Sequence, residues 1–166
     1  MGQPPITPAQ YLQADRLRFP GMLPREIIIF KAWLSRHERD YDRFDFNVRV
    51  GKGSDPGPGW DSATRAMAIM NSQKRIDAVA WHGNQPVIIE VKDRAGLSVV
   101  GQLVGYRALW PAAFPGTPTP KLLLVTNRPS PDLLPVLQHA DIFMEVVQAD
   151  FSQLGALYRG RHIAGR

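Results

Sequence analysis

Cysteine is absent from this chain of 166 residues, and histidine occurs at four positions only, His37, His82, His139 and His162. The first absence excludes a disulfide framework and a thiolate metal site, and accords with a reducing compartment. The scatter of the histidines over unrelated segments excludes a histidine-rich zinc centre. No apolar run reaches the roughly eighteen residues that a membrane-spanning helix needs, and Met1-Gly2-Gln3-Pro4-Pro5 lacks the basic-then-apolar plan of a signal peptide. A cytoplasmic, intracellular protein without membrane association is therefore expected. Acidic excess is missing as well, since 20 Lys and Arg face 15 Asp and Glu, a formal charge of +5. That sign favours a polyanionic partner, DNA foremost, because phosphate neutralisation supplies most non-specific nucleic-acid affinity. Also absent are a glycine-rich phosphate loop, a Ser-His-Asp order, a dinucleotide fingerprint, a helix-turn-helix or zinc-finger signature and an internal repeat.

What is present centres on two β-branched runs, residues 74–81 and 86–92, joined by the polar link His82-Gly83-Asn84-Gln85. They predict a β-hairpin. Asp77, Glu90 and Lys92 then lie inside strands, where charge is costly. Side chains alternate across a strand, so Glu90 and Lys92 project from one face about 6.6 Å apart, and Asp77 reaches the same patch from the partner strand. A carboxylate pair on an otherwise apolar sheet calls for a neutralising cation, and hard oxygen ligands suit Mg²⁺ or Mn²⁺. A protonated lysine beside it orients a water nucleophile or stabilises a phosphoryl transition state. The competing reading is a cross-strand ion pair on an exposed charged stripe. Ile88, Ile89 and Val91 make both faces of the strand apolar elsewhere and favour a site.

An Asp in one strand followed by Glu-x-Lys in the next, here Asp77 and Glu90-Val91-Lys92, resembles the PD-(D/E)xK nuclease superfamily. The resemblance spans residues 24–148 and includes the element order; Ile76 departs from it by standing where the family name has Pro. It implies an α/β fold, a central mixed β-sheet flanked by helices with a restriction-endonuclease-like αβββαβ core. It also implies metal-dependent DNA hydrolysis, with Asp77, Glu90 and the Val91 carbonyl holding Mg²⁺ or Mn²⁺ and Lys92 positioning the attacking water. The first helix of the family often adds an acid, and Glu26 fits that place; an acid in the first turn of a helix equally serves the helix dipole. The helix after Glu-x-Lys often adds a glutamine, and Gln102 fits that place or simply faces solvent.

Residues 1–23, rich in proline and glycine, read as an N-terminal extended arm with at most a short turn near Pro8. Pro24 opens a first helix over 24–34, and residues 41–50 alternate Phe44, Phe46, Val48 and Val50 with polar partners, as a half-buried strand does. Residues 51–62 read as a long Gly/Pro loop, with a short helix allowed over 63–70. A second helix runs from an N-cap at Ser98 and stops before Pro111; a buried strand follows at 121–127, a helix at 130–139, a strand at 142–147 and a last short helix at 150–158. The nuclease-like domain is thus 24–158, and 159–166 a basic tail. Lys52, Lys74, Arg75 and Arg94 are the candidate nucleic-acid contacts, or else solvated charges. The arm and the loop, with Tyr11 and Trp60 as anchors, also suit assembly with further copies or other chains. The second functional reading is accordingly a nuclease-fold assembly subunit of a viral particle or DNA-packaging machine, located in a virion.

Overall fold

The computed structural model describes residues 6–159. Its elements run α1 (Pro8–Tyr11), a 3₁₀ turn (Arg16–Arg18), α2 (Pro24–His37), β1 (Arg43–Val50), α3 (Ser62–Ser72), β2 (Lys74–His82), β3 (Gln85–Ala95), α4 (Ser98–Ala113), β4 (Lys121–Pro129), α5 (Leu133–His139), β5 (Phe143–Val146), a second 3₁₀ turn (Phe151–Gln153) and α6 (Leu154–Arg159). The protein is α/β, with one mixed five-stranded sheet in the spatial order β1-β2-β3-β4-β5. β1, β2 and β3 are antiparallel neighbours, whereas β3, β4 and β5 run parallel, with α4 and α5 as the crossovers. Among the described residues no helix is long and apolar enough to cross a membrane.

Two apolar layers cover the sheet. On one face Ile27, Phe30, Trp33 and Leu34 of α2 meet Ala78, Ala80, Ile89, Val91, Leu123 and Val125. On the other, Val99, Leu103, Tyr106 and Trp110 of α4 and Leu133 and Leu137 of α5 meet Val79, Ile88, Leu122 and Leu124. The alternation of residues 88–91 in β3 and 122–125 in β4 follows from the period of two in an extended strand, and it breaks in β2, where Ile76 and Ala78 lie in opposite layers on either side of Asp77. It also puts Glu90 and Lys92 on the α4 side, in line with Ile88.

The segment before α2 departs from the extended arm expected. Tyr11, Phe19 and Met22 are buried in the α2 layer, and the Phe19 ring stands edge-on to Phe30 and Phe46 at 5.9 and 5.2 Å. Separated apolar residues inserted as individual knobs bury a large area each and leave no periodicity to read. The strand β1 also differs from a simple half-buried one. Phe44 and Phe46 pack in the α2 layer but Val48 and Val50 in the α4 layer. Asn47 between them adopts φ 53°, in the left-handed region that asparagine tolerates, and this reverses the alternation. At the start of α4 the cap position is Leu97 and Ser98 is the first helical residue, so no serine side chain caps it. The helix then passes through Pro111 to Ala113, where only the last turn is left to lose a hydrogen bond. α5 begins at Leu133, three residues later than expected, after a turn closed by the Leu133 amide on the Ser130 carbonyl. Of the basic tail, residues 160–166 lie outside the described residues.

Candidate active site

The hairpin forms as its sequence demands, with Gly83 at φ 57° in a two-residue turn and His82 paired with Gln85. Its pairing stops at Ala78 and Ile89. Beyond them β2 stays with β1 down to Lys74, while β3 continues beside β4. The two strands therefore fork, and Asp77 and Glu90 stand at the branch point. Asn47, whose backbone bends β1, is the residue opposite Asp77 and is skipped in the otherwise continuous register.

One interaction closes the base of the fork: the Val91 amide donates to Asp77 Oδ2 at 2.9 Å. In an extended strand the N–H and C=O of one residue point the same way, so the Val91 carbonyl also looks into the fork. Lys92 Nζ lies 2.7 Å from Glu90 Oε1, 3.6 Å from Glu26 Oε1 and 3.8 Å from Asp77 Oδ2. One ammonium thus gathers three carboxylates carried by α2, β2 and β3. Glu26 serves its own helix, its Oε2 accepting the Leu23 amide at 2.8 Å at the start of α2, while Oε1 faces the lysine.

Burial governs the electrostatics. The Glu90 side chain is 2% exposed and Asp77 13%. Burial, reinforced by the charge of Glu90 and opposed by Lys92 and the Val91 amide, pushes the Asp77 carboxyl up to about 7. Glu90 is raised for the same leading reason, against the pull of Lys92. For Lys92, burial works against the charged form, but Asp77, Glu90 and Glu26 outweigh it and raise its pKa, so it is an ammonium at neutral pH. Glu90 Oε2 is buried without a hydrogen bond, because the one hydrogen of the neighbouring Tyr106 hydroxyl goes to the Arg75 carbonyl, and Thr126 Oγ1, on the residue beside Lys92 in the β3–β4 register, is likewise unpartnered. An orphaned carboxylate oxygen in a buried cluster of acids is a place for a cation. Among the described residues no three His, Cys, Asp or Glu side chains already form a metal cage; the acids close on the ammonium instead. The donor set fits Mg²⁺ or Mn²⁺ all the same, being carboxylate and carbonyl oxygen throughout.

The remaining expected residues distribute around this centre. Gln102 is exposed on α4 and lies against Tyr106 rather than the charged trio. Tyr106 is core, as its spacing indicates, yet its hydroxyl reaches the fork. It donates to the Arg75 carbonyl at 2.9 Å and stands close enough to Glu90 and Asp77 that, after burial, their charges help to raise its pKa. Lys52, Lys74, Arg75 and Arg94 are exposed, and among the described residues none has an acidic partner.

Sequence reasoning missed a second cluster. Asp93 Oδ2 accepts from Arg25 Nε and from an Arg128 terminal nitrogen, each at 2.8 Å, and Asn127 donates to Oδ1 at 3.1 Å. Burial works against the Asp93 charge, but these three donors prevail and hold its carboxyl at about 2. Its members come from three elements, brought together by the parallel register of β3 and β4 and by the seat of α2 on the sheet. A cavity of about 580 Å³ lies at the opposite end of the sheet, lined by Tyr41, His82, Gln85, Lys121 and Phe143 among others, and shares no residue with the fork. Ligands of open α/β sheets bind beyond the carboxyl ends of the parallel strands, which is where the fork and the Asp93 cluster are. No family model matches the chain, and neither does any curated protein or solved structure at a significant level.

Proposed function

We propose that this chain is a restriction-endonuclease-like enzyme that hydrolyses DNA phosphodiester bonds with Mg²⁺ or Mn²⁺. The observation that carries the reading is the forked hairpin, where Lys92 Nζ sits among Glu90, Glu26 and Asp77 while Glu90 Oε2 has no partner. Asp77, Glu90 and the Val91 carbonyl would hold the metal, with Glu26 Oε1 as an outer carboxylate. A bound divalent ion supplies Lewis-acid stabilisation of the phosphoryl oxygens and a more acidic water. Lys92, being protonated, serves as a donor rather than a base: its N–H groups orient the attacking water and meet the charge that builds on the phosphoryl oxygens. The Val91 amide holds Asp77 in place, and Tyr106, kept protonated, fixes the backbone of Arg75 at the mouth of the fork. Exposed Lys74, Arg75 and Arg94 supply backbone phosphate contacts.

The test is cleavage of duplex, single-stranded and branched DNA. Wild-type protein is expected to cut with Mg²⁺ or Mn²⁺ and to stop on addition of EDTA, and Lys92→Ala to lower the rate by orders of magnitude. No cutting of any substrate with either metal would overturn the reading. The assembly-subunit reading retains one observation in its favour, the exposed apolar side chains Trp60, Met67 and Met70 on the loop and α3. Tyr11, its other expected anchor, is used by the protein's own core. Light scattering that finds a defined oligomer, lost on Trp60→Ser with no cleavage activity at any stage, would favour it.

A further inference from the structure

We propose that Arg25 and Arg128, joined by the Asp93 carboxylate, form a subsite for a second backbone phosphate of the DNA, at the rim of the fork. This deepens the nuclease reading and rests on it for the identity of the polyanion.

Position comes first. Arg25 immediately precedes Glu26 in the first turn of α2, Asp93 immediately follows Lys92, and Arg128 lies two residues beyond Thr126, the register partner of Lys92. The backbones of Asp93, Arg25 and Arg128 are therefore about 4 to 7 Å from those of Lys92, Glu26 and Thr126, and the cluster sits at the same end of the sheet as the fork, with Asp93 turned to the α2 face and Lys92 to the α4 face. The donors come next. Arg25 spends only its Nε on Asp93, and Arg128 only one terminal nitrogen. A guanidinium carries five N–H groups in a rigid fork, so each arginine keeps donors directed away from the shared carboxylate. Both side chains remain reachable, at 41% and 47% exposure. Two cations on one anion leave a net positive charge, and exposed Arg94, paired in register with Arg128, adds another.

The arginines are also fixed in advance. The Arg25 guanidinium lies 3.8 Å from the centre of the Phe151 ring, and Asn127 holds the second oxygen of Asp93. Long side chains immobilised before binding forfeit less entropy when a phosphate arrives. A purely structural tie is the competing account, but partly exposed ion pairs contribute little stability. The two accounts differ in what DNA binding reads.

The experiment is fluorescence anisotropy of a labelled DNA duplex with the full-length protein across a range of KCl concentrations, without divalent metal. Each phosphate contact on duplex DNA contributes about 0.9 to the slope of log affinity against log salt. Arg25→Gln and Arg128→Gln are each expected to weaken binding and reduce that slope by up to about 0.9, the contribution of the one phosphate they share. Arg128→Lys, which keeps the charge, is expected to restore the slope. Arg36→Gln removes the same charge about 16 Å away at the far end of α2 and is expected to leave the slope unchanged. Wild-type slopes in both glutamine variants, whatever their melting temperatures, would overturn the subsite, and so would an equal loss in Arg36→Gln. If Arg25→Gln does not fold, exposed Arg128 decides the matter alone. Arginine-dependent slopes in a protein that never cuts DNA would retire the nuclease reading and leave the subsite standing; cutting with unchanged slopes would do the reverse.

Discussion

Replacing Asp77 by Asn is expected to stabilise the metal-free protein at pH 8 while abolishing the DNA cleavage proposed above. The Asp77 carboxyl is 13% exposed and its pKa is raised from 3.8 to about 7. A folded-state pKa above the unfolded one means that the group's contribution to stability is fully present below pH 3.8 and is lost as pH rises through 7. About 3 pKa units at 1.36 kcal/mol each give about 4 kcal/mol in total, of which roughly 2 to 3 kcal/mol falls between pH 5 and 8. Asparagine keeps an oxygen for the Val91 amide and turns an N–H₂ group towards the acids, but it gives up the attraction to Lys92 at 3.8 Å. We expect a net gain of about 1 to 2 kcal/mol at pH 8, or roughly 2 to 8 °C in melting temperature for a chain of this size. Calorimetry at pH 5 and pH 8, with and without Mg²⁺, reads this. The wild type should melt lower at pH 8 than at pH 5 without metal, recover on adding Mg²⁺, and lie below Asp77→Asn at pH 8. A wild-type melting temperature indifferent to pH, with Asp77→Asn less stable at pH 8, would refute the claim that buried acids at the fork are held together at a cost.

Two further perturbations address the frame of the site. Phe19→Ala should lower stability by about 3 to 5 kcal/mol in urea unfolding, because Phe19 is 1% exposed among three aromatic rings; a loss under about 1 kcal/mol would mean that the N-terminal segment is an appendage after all. Asn47→Val should cost about 1 to 3 kcal/mol, whereas Asn47→Gly should be tolerated far better, since φ 53° strains a β-branched residue and suits glycine; equal urea midpoints for the two variants would contradict the backbone argument.

The hairpin and its charges were legible because β-branched runs, a short polar link and acids at strand positions are all local signals. The start of α2 was legible for the same reason, with Pro24 in its first turn and Glu26 placed to cap it. What escaped was information carried by isolated residues or by tertiary register. Phe44, Phe46, Val48 and Val50 alternate in sequence as one face would, and only the left-handed backbone at Asn47 divides them between two layers. Tyr11, Phe19 and Met22 lie in a Pro/Gly-rich stretch without a period, yet each fills the core. Asp93, flanked by Lys92 and Arg94, looks like one charge in a solvated run; its meaning depends on Arg25 and Arg128, distant in sequence. Composition indicates a net positive charge but not its distribution over the surface.

The central claim is that the fork is a divalent-metal site, and the most direct measurement is an anomalous difference map from crystals of the metal-free protein soaked in Mn²⁺, for wild type and Asp77→Asn side by side. The account predicts one peak between Asp77 and Glu90 in the wild type, with Lys92 Nζ drawn back from Glu90 Oε1, and a weakened or missing peak in Asp77→Asn. A wild-type map with no peak in the fork at millimolar Mn²⁺, and Lys92 still seated among the three carboxylates, would contradict it.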